Sequence, residues 1–197
     1  MYFVSDINGG NNIWRLELDG GNLKQLSTGN EAYAQVSQDG RWIVYSTSAS
    51  GKTTLWKMPA DGGTPVQLSD RSSIWPVVSP DGKTIACNYR EETKAPWKIA
   101  LISIDGGPPI KTFDIPPTVI FPARLKWSPD GKTIAYHESR NGVSNIWGLP
   151  IDGGPPKQLS NFTVGRIFTF DWSRDGKQIA YARGVVTSDI VTLTNFR

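Results

Sequence analysis

The chain has 197 residues, the size of one domain or of one repeat array that folds as a unit. Gly 20 and Pro 14 are spread so evenly that no stretch longer than 13 residues lacks both, which all but excludes helices of ordinary length. Lys+Arg 21 against Asp+Glu 18 gives a net charge of +3 with the signs interspersed, so no basic stripe marks a nucleic-acid footprint.

Eight Trp within 38% apolar residues supply enough surface to bury a core. Turn residues separating Trp, Tyr, Ile, Val and Thr predict many short strands, hence an all-β chain with no helix beyond about two turns. One cysteine, Cys87, excludes an internal disulfide and any Cys-based zinc site. No apolar run approaches the ~18 residues of a membrane span, so no direct membrane insertion is expected, and no signal-peptide pattern follows Met1.

In chain order, a first unit (about 1–30) begins inside a strand, because Met1 to Trp14 (MYFVSDINGGNNIW) lies without a gap over Ile134 to Trp147 (IAYHESRNGVSNIW). It passes through Asp19-Gly-Gly and ends in Gln25-Leu-Ser. The second unit (about 31–70) adds a strand running into Ser37-Gln-Asp-Gly, then Trp56, Asp61-Gly-Gly and Gln67-Leu-Ser. The third (about 71–117) carries Ser79-Pro-Asp-Gly and Asp105-Gly-Gly. The fourth (about 118–163) carries Ser128-Pro-Asp-Gly, Asp152-Gly-Gly and Gln158-Leu-Ser. The fifth (about 164–197) runs through Ser173-Arg-Asp-Gly to the point where the next Asp-Gly-Gly would fall.

The Ser anchors are 42, 49 and 45 residues apart and the Asp-Gly-Gly anchors 42, 44 and 47, a spacing in the range of propeller blades. Each unit reads as four strands. Strand a enters the Ser-x-Asp-Gly turn, b is Ile-Ala-Tyr-like, c is Ile-Trp-x-Leu-like and d ends in Gln-Leu-Ser. In Ser-Pro-Asp-Gly, Pro presets φ, Asp bonds nearby N–H groups, and Gly takes the positive φ that closes a tight hairpin. One blade cannot bury both faces alone, so blades must stack around an axis.

The unit W-S-P-D-G-K-x-I-A-Y…N-I-W-x-x-x-x-D-G-G…Q-L-S resembles the WD-repeat-like blade of TolB-type β-propellers, a blade type shared with the propellers of prolyl-oligopeptidase-like enzymes. The resemblance runs over essentially the whole chain and implies a β-propeller of four-stranded antiparallel blades. The expected content is b-c-d, three full blades and a-b-c, or 18 strands. That number leaves partial blades at both ends and suggests the C-terminal part of a larger propeller. Its unpaired edges invite self-association.

Motifs that could carry chemistry read better as architecture. Gly-Lys-Thr at Gly51, Gly82 and Gly131 lacks the earlier glycine and the following helix of a phosphate loop. Asp39, Asp81, Asp130 and Asp175 fill the same turn slot one blade apart, so they cannot converge on a metal. The single His137 sits where other units have Val4, Ser46, Asn88 and Ala182, and no G-x-S-x-G elbow accompanies it. Cys87 fills the slot of Phe3, Tyr45, Tyr136 and Tyr181 and is expected to be a half-buried small hydrophobe. Trp14, Trp56, Trp147, Trp127 and Trp172 recur by position as inter-blade core, and Glu91-Glu92 reads as solvated loop. Asn161-Phe-Thr163 matches a glycosylation sequon, a pattern too short to weigh. No catalytic, metal or cofactor site is assigned, and the chain is expected not to be an enzyme.

Variation between units points elsewhere. The a–b and c–d turns share one face, while the extra residues all fall in b–c and d–a loops on the other, suggesting a scaffold side and a recognition side. Four places before each Ser anchor stand Tyr33, Trp75, Arg124 and Thr169, with Phe121 and Phe168 close by on the longer d–a links. Tyr, Trp and Arg dominate interface hot spots. These six residues are the candidate binding site, at the mouth of the central channel.

The resemblance implies a binding module for a protein or peptide partner, since TolB-like propellers work in cell-envelope protein complexes, with an extracytoplasmic setting. A propeller gating a prolyl-oligopeptidase-like peptidase, or a glycan- or ligand-sensing domain of a bacterial regulator, are the alternatives.

Overall fold

Each Ser-x-Asp-Gly anchor closes its hairpin with the same three hydrogen bonds. The Ser hydroxyl donates to the Asp carboxylate at 2.6 Å in all four copies (Ser37–Asp39, Ser79–Asp81, Ser128–Asp130, Ser173–Asp175). That carboxylate also accepts from the backbone N–H two residues on, and the Ser Oγ accepts from the N–H five residues on. Gly82, at φ 72°, supplies the left-handed backbone that lets the strand reverse.

The computed structural model describes residues 1–49 and 51–186, and every regular element in them is a strand. The strands form five sheets in chain order. The first holds β1 (Tyr2–Ser5), β2 (Asn12–Arg15) and β3 (Lys24–Gln25). The second holds β4 (Glu31–Val36), β5 (Trp42–Thr47), β6 (Thr54–Pro59) and β7 (Val66–Gln67). The third holds β8 (Ser72–Val78), β9 (Thr84–Arg90), β10 (Lys98–Ser103) and β11 (Lys111–Asp114). The fourth holds β12 (Lys126–Trp127), β13 (Thr133–Arg140), β14 (Val143–Pro150) and β15 (Lys157–Gln158). The fifth holds β16 (Arg166–Trp172) and β17 (Ile179–Gly184).

All pairings are antiparallel between chain neighbours, so the three central sheets are up-and-down a-b-c-d blades. This order necessarily puts a–b and c–d turns at one end and b–c and d–a loops at the other. The expected strand c of the fifth unit lies outside the described residues, and β1 is the edge of its sheet.

The core lies between blades rather than within them. Val44, Leu55 and Leu68 of the second blade pack on Ile85, Cys87 and Ile102 of the third. Ile99 and Leu101 of the third pack on Ile134, Tyr136 and Leu149 of the fourth. Burying one such aliphatic side chain is worth about 1.5–3 kcal/mol, and each blade contributes to both neighbours. Trp14 is buried, while Trp56, Trp147 and Trp172 are half-buried against these clusters. The Trp127 indole crosses from the fourth blade to donate to the Val77 carbonyl at 3.0 Å.

Cys87 corrects an expectation: it is wholly buried, not half-buried. An interior blade is covered on both faces, so this slot has no wet side, and Tyr45 and Tyr136 in the same slot are buried too. In the third blade the cross-strand pair Tyr–Trp of its neighbours becomes Cys87 opposite Ala100. Burial pushes the thiol well above its ordinary range, so it is inert.

Two Asp-Gly-Gly turns also tie blades together. Asp19 and Asp152 cap their own turns by accepting from Gly21 and Gly154 N–H. Asp61 and Asp105 instead meet a cation of the preceding blade, Arg15 at 2.6 Å and Lys57 at 3.3 Å.

Candidate functional site

The inner strands of the second and third blades carry the same irregularity at the same place. The β4–β5 register breaks between Ala32 and Gln35, and the β8–β9 register between Ile74 and Val77. Two residues of the inner strand there oppose one of its partner, a β-bulge that bends the strand and re-aims its side chains. Tyr33 and Trp75, four residues before Ser37 and Ser79, sit in these bulges at φ 56° and 56°. Left-handed backbone in a bulky residue costs about 1–3 kcal/mol and persists only where its surroundings enforce it. The two bulges turn these rings toward each other, with centroids 4.6 Å apart and planes tilted by 51°.

The fourth blade reaches the same place by another route. Pro116, Pro117 and Pro122 offer no N–H, and the chain from 118 to 125 meets β13 in an isolated bridge, Val119 opposite Glu138, with the Ser139 N–H donating to the Thr118 carbonyl at 2.8 Å, so that β12 is only two residues long. Side chains of neighbouring strands hold this segment as well. Asn88 of β9 donates to the Ala123 carbonyl at 3.0 Å and accepts from the Ala123 N–H at 2.9 Å. Thr118 donates to Glu138 Oε2 at 2.7 Å. Arg124, the residue after Ala123, holds its guanidinium 5.2 Å from the Trp75 ring centroid and donates to the Phe168 carbonyl at 3.4 Å.

A cavity of about 250 Å³ opens between these groups. Tyr33, Trp75, Arg124 and Thr169 all line it, together with Gln35, Lys126 and Phe170. Lys126 is paired with Asp171 at 2.6 Å. Arg124 has no carboxylate partner among the described residues. The Trp75 indole N–H is buried without a partner. The site therefore offers an aromatic wall and one uncommitted cation.

His137 lies behind the wall, 6% exposed, with Nδ1 unpartnered and its ring edge-on to Phe170 at 6.2 Å. Burial first, then the Arg124 charge, hold its pKa below the ordinary 6.5, so it is neutral at pH 7. Among the described residues no Ser or Cys nucleophile is hydrogen-bonded to it, and the arrangement reads as a core histidine. Among the described residues no three His, Cys, Asp or Glu side chains gather as metal ligands.

Two of the six sequence candidates stand apart. Phe121 stacks on Trp97 at 4.8 Å, and Arg90 covers the same indole at 4.6 Å, forming a separate cluster on the rim. Phe168 is left out of the β16–β17 register, and its ring edge lies over Gly184, where a Cβ would come within 3.1 Å. Neither lines the cavity. Tyr33, Trp75, Phe168 and Thr169 belong to inner strands, and only Phe121 and Arg124 to a link. Sequence reasoning missed Gln35, two residues on from Tyr33 along β4, and Lys126, two residues on from Arg124 at the start of β12. It also missed Asn88, whose one signal was an amide in a slot that other units fill with Val, Ser, His or Ala.

Antiparallel four-stranded sheets following one another in chain order, with the core between them, define a β-propeller. No known family model matches the sequence. A TolB structure from Agrobacterium tumefaciens superposes with a TM-score of 0.72 at 24% identity, over 93% of this chain and 66% of that one. TolB from Acinetobacter baumannii gives 0.66 at 21%, over 78% of this chain and 38% of that one. Tricorn protease homolog 1 of Streptomyces coelicolor is 34% identical over 53 residues, 27% of this chain and 5% of that protein. This chain thus spans 66% or less of each of these proteins. In fold it is a TolB-like β-propeller.

Proposed function

We propose that this chain is a non-enzymatic binding module of a larger TolB-like propeller, and that it holds a protein or peptide partner at the channel mouth on its loop face. One observation carries the reading. Three successive blades bring dissimilar hot-spot side chains, Tyr33, Trp75 and Arg124, around one cavity, two of them on strained backbone. Core packing needs neither an unpaired guanidinium nor left-handed aromatic residues. The TolB likeness supports the same reading and an extracytoplasmic setting.

The test selects binding peptides from a displayed library on the immobilised chain. Trp75→Ala and Arg124→Ala should each weaken the selected peptides by about 5–150-fold, the equivalent of 1–3 kcal/mol. Asp81→Asn, at the opposite end of the blade, should leave affinity unchanged. The reverse pattern in folded variants overturns the choice of face.

The stretch similar to a tricorn protease homolog favours a second reading, a propeller that gates a peptidase. A G-x-S-x-G segment with alternating strands and helices, encoded in continuity with this chain, would support it.

A further inference from the structure

Resting on that reading, we infer that the cavity at Tyr33, Trp75 and Arg124 recognises a carboxylate on its peptide partner: an Asp or Glu side chain, or the chain terminus, next to an apolar or aromatic residue.

Charge complementarity argues for this occupant. The cavity lining carries two cations and no acid. Asp171 already neutralises Lys126 at 2.6 Å, so Arg124 supplies the one uncommitted charge. Its only hydrogen bond among the described residues is a 3.4 Å contact to a carbonyl, which leaves most of the guanidinium fork unused there. A planar fork pairs bidentately with a planar carboxylate, and such charge-assisted bonds are about twice as strong as neutral ones. The field of Arg124 is also felt by the chain itself, since it helps to hold His137 unprotonated.

The guanidinium is prepared for an anion. The Trp75 ring draws it by a cation–π contact at 5.2 Å, and the Asn88 clasp on Ala123 fixes the backbone one residue before it. A docking group therefore finds the fork ordered and loses less rotamer entropy than it would on a free arginine. The exposed Tyr33 ring offers an apolar shelf, 50% accessible.

Size and charge both favour a carboxylate over a phosphate or a larger ligand. About 250 Å³ holds a side chain or two rather than a whole small-molecule substrate. A phosphate dianion would find one free cation, and the carboxylate of Asp171 at the rim would oppose its second charge.

The test uses the full chain and the Trp75 indole N–H resonance as reporter. The probes are acetyl-Phe-Asp-amide, its neutral isostere acetyl-Phe-Asn-amide, the cationic acetyl-Phe-Lys-amide, and inorganic phosphate. The Asp peptide should bind saturably and at least tenfold more tightly than the Asn peptide. Arg124→Gln should abolish that preference, and Arg124→Lys, which keeps the charge but not the fork, should restore only part of it. If the Asn or Lys peptide binds as well as the Asp peptide, the carboxylate inference falls while the binding-module reading stands. If phosphate binds more tightly than the Asp peptide, the site takes another anion and the inference falls. If no probe moves the indole signal while library peptides still bind elsewhere on the folded chain, both the inference and the location of the site fall.

Discussion

The side chain of Asn88 clasps the peptide group of Ala123 from the neighbouring blade, donating to its carbonyl and accepting from its N–H at 3.0 and 2.9 Å. These are the two bonds a strand partner would supply. They stand in for the ladder that the proline-rich approach to β12 cannot make, and all four atoms are buried, so neither group has water as an alternative. The clasp joins the third blade to the fourth and places Arg124 in the same step.

Asn88→Leu, close to isosteric, should therefore cost about 2–6 kcal/mol in chemical denaturation, since it strands a buried donor and a buried acceptor at about 1–3 kcal/mol each. Binding at the channel mouth should weaken as well, because Arg124 loses its anchor. A stability change below about 1 kcal/mol would mean that the loop holds its course by other contacts.

His137 should make the fold sensitive to mild acid. Its folded-state pKa lies below 6.5, so as pH falls through that value the unfolded chain takes up a proton that the folded chain refuses. Stability is then flat above about pH 7 and declines between 6.5 and the lower folded pKa. His137→Asn, the residue of the same slot in the third blade, should flatten the melting temperature across that window. Arg124→Gln should move the imidazole titration upward in NMR. An imidazole titrating at or above 6.5 in the folded protein would refute the account.

The repeat made most of this fold legible, because turn residues at fixed offsets announce hairpins whatever the strands contain. It also pointed to Tyr33, Trp75, Arg124 and Thr169, since four places before each serine is a structural register, and the same register lines the cavity. What stayed hidden was backbone conformation that the side chains do not advertise. A left-handed position usually shows itself as Gly or Asn, and Tyr33 and Trp75 are neither. Phe168 could not be separated from Thr169 because the β16 bulge falls one residue nearer the strand start. The Asn88 clasp crosses between blades, and no periodicity within a unit encodes it.

The serine of each turn should matter less in strong acid. The Ser79 hydroxyl, followed by the Lys83 N–H, holds Asp81 below the ordinary 3.8. The stability linked to that ionised form is present above about pH 4 and is lost as pH falls through the lowered pKa. Asp81 is exposed, so Ser79→Ala should cost about 0.5–1 kcal/mol at pH 7. The cost should shrink as pH falls through the lowered pKa and the carboxyl becomes protonated in both proteins, though the Thr84 N–H still misses its acceptor. Asp39, held at about 2 by the equivalent Ser37, makes the second blade the last to respond. A cost for Ser79→Ala that does not vary with pH would show that the hydroxyl works through Thr84 alone.

Tyr33 separates a binding role from a packing role. Its ring is half exposed, and its backbone sits at φ 56°, where Asn is tolerated far better than Tyr. Tyr33→Asn should relieve about 1 kcal/mol of backbone strain and forfeit about the same in the ring contact with Trp75. Thermal stability should therefore change by less than about 1 kcal/mol in either direction. Partner affinity should nevertheless fall at least fivefold, because the aromatic shelf is gone. A residue kept for packing would show the opposite, with stability lost and affinity spared. Measuring both on the same sample decides the matter: a destabilised variant that still binds its peptide normally would show that the bulge exists to close the channel, not to receive a ligand.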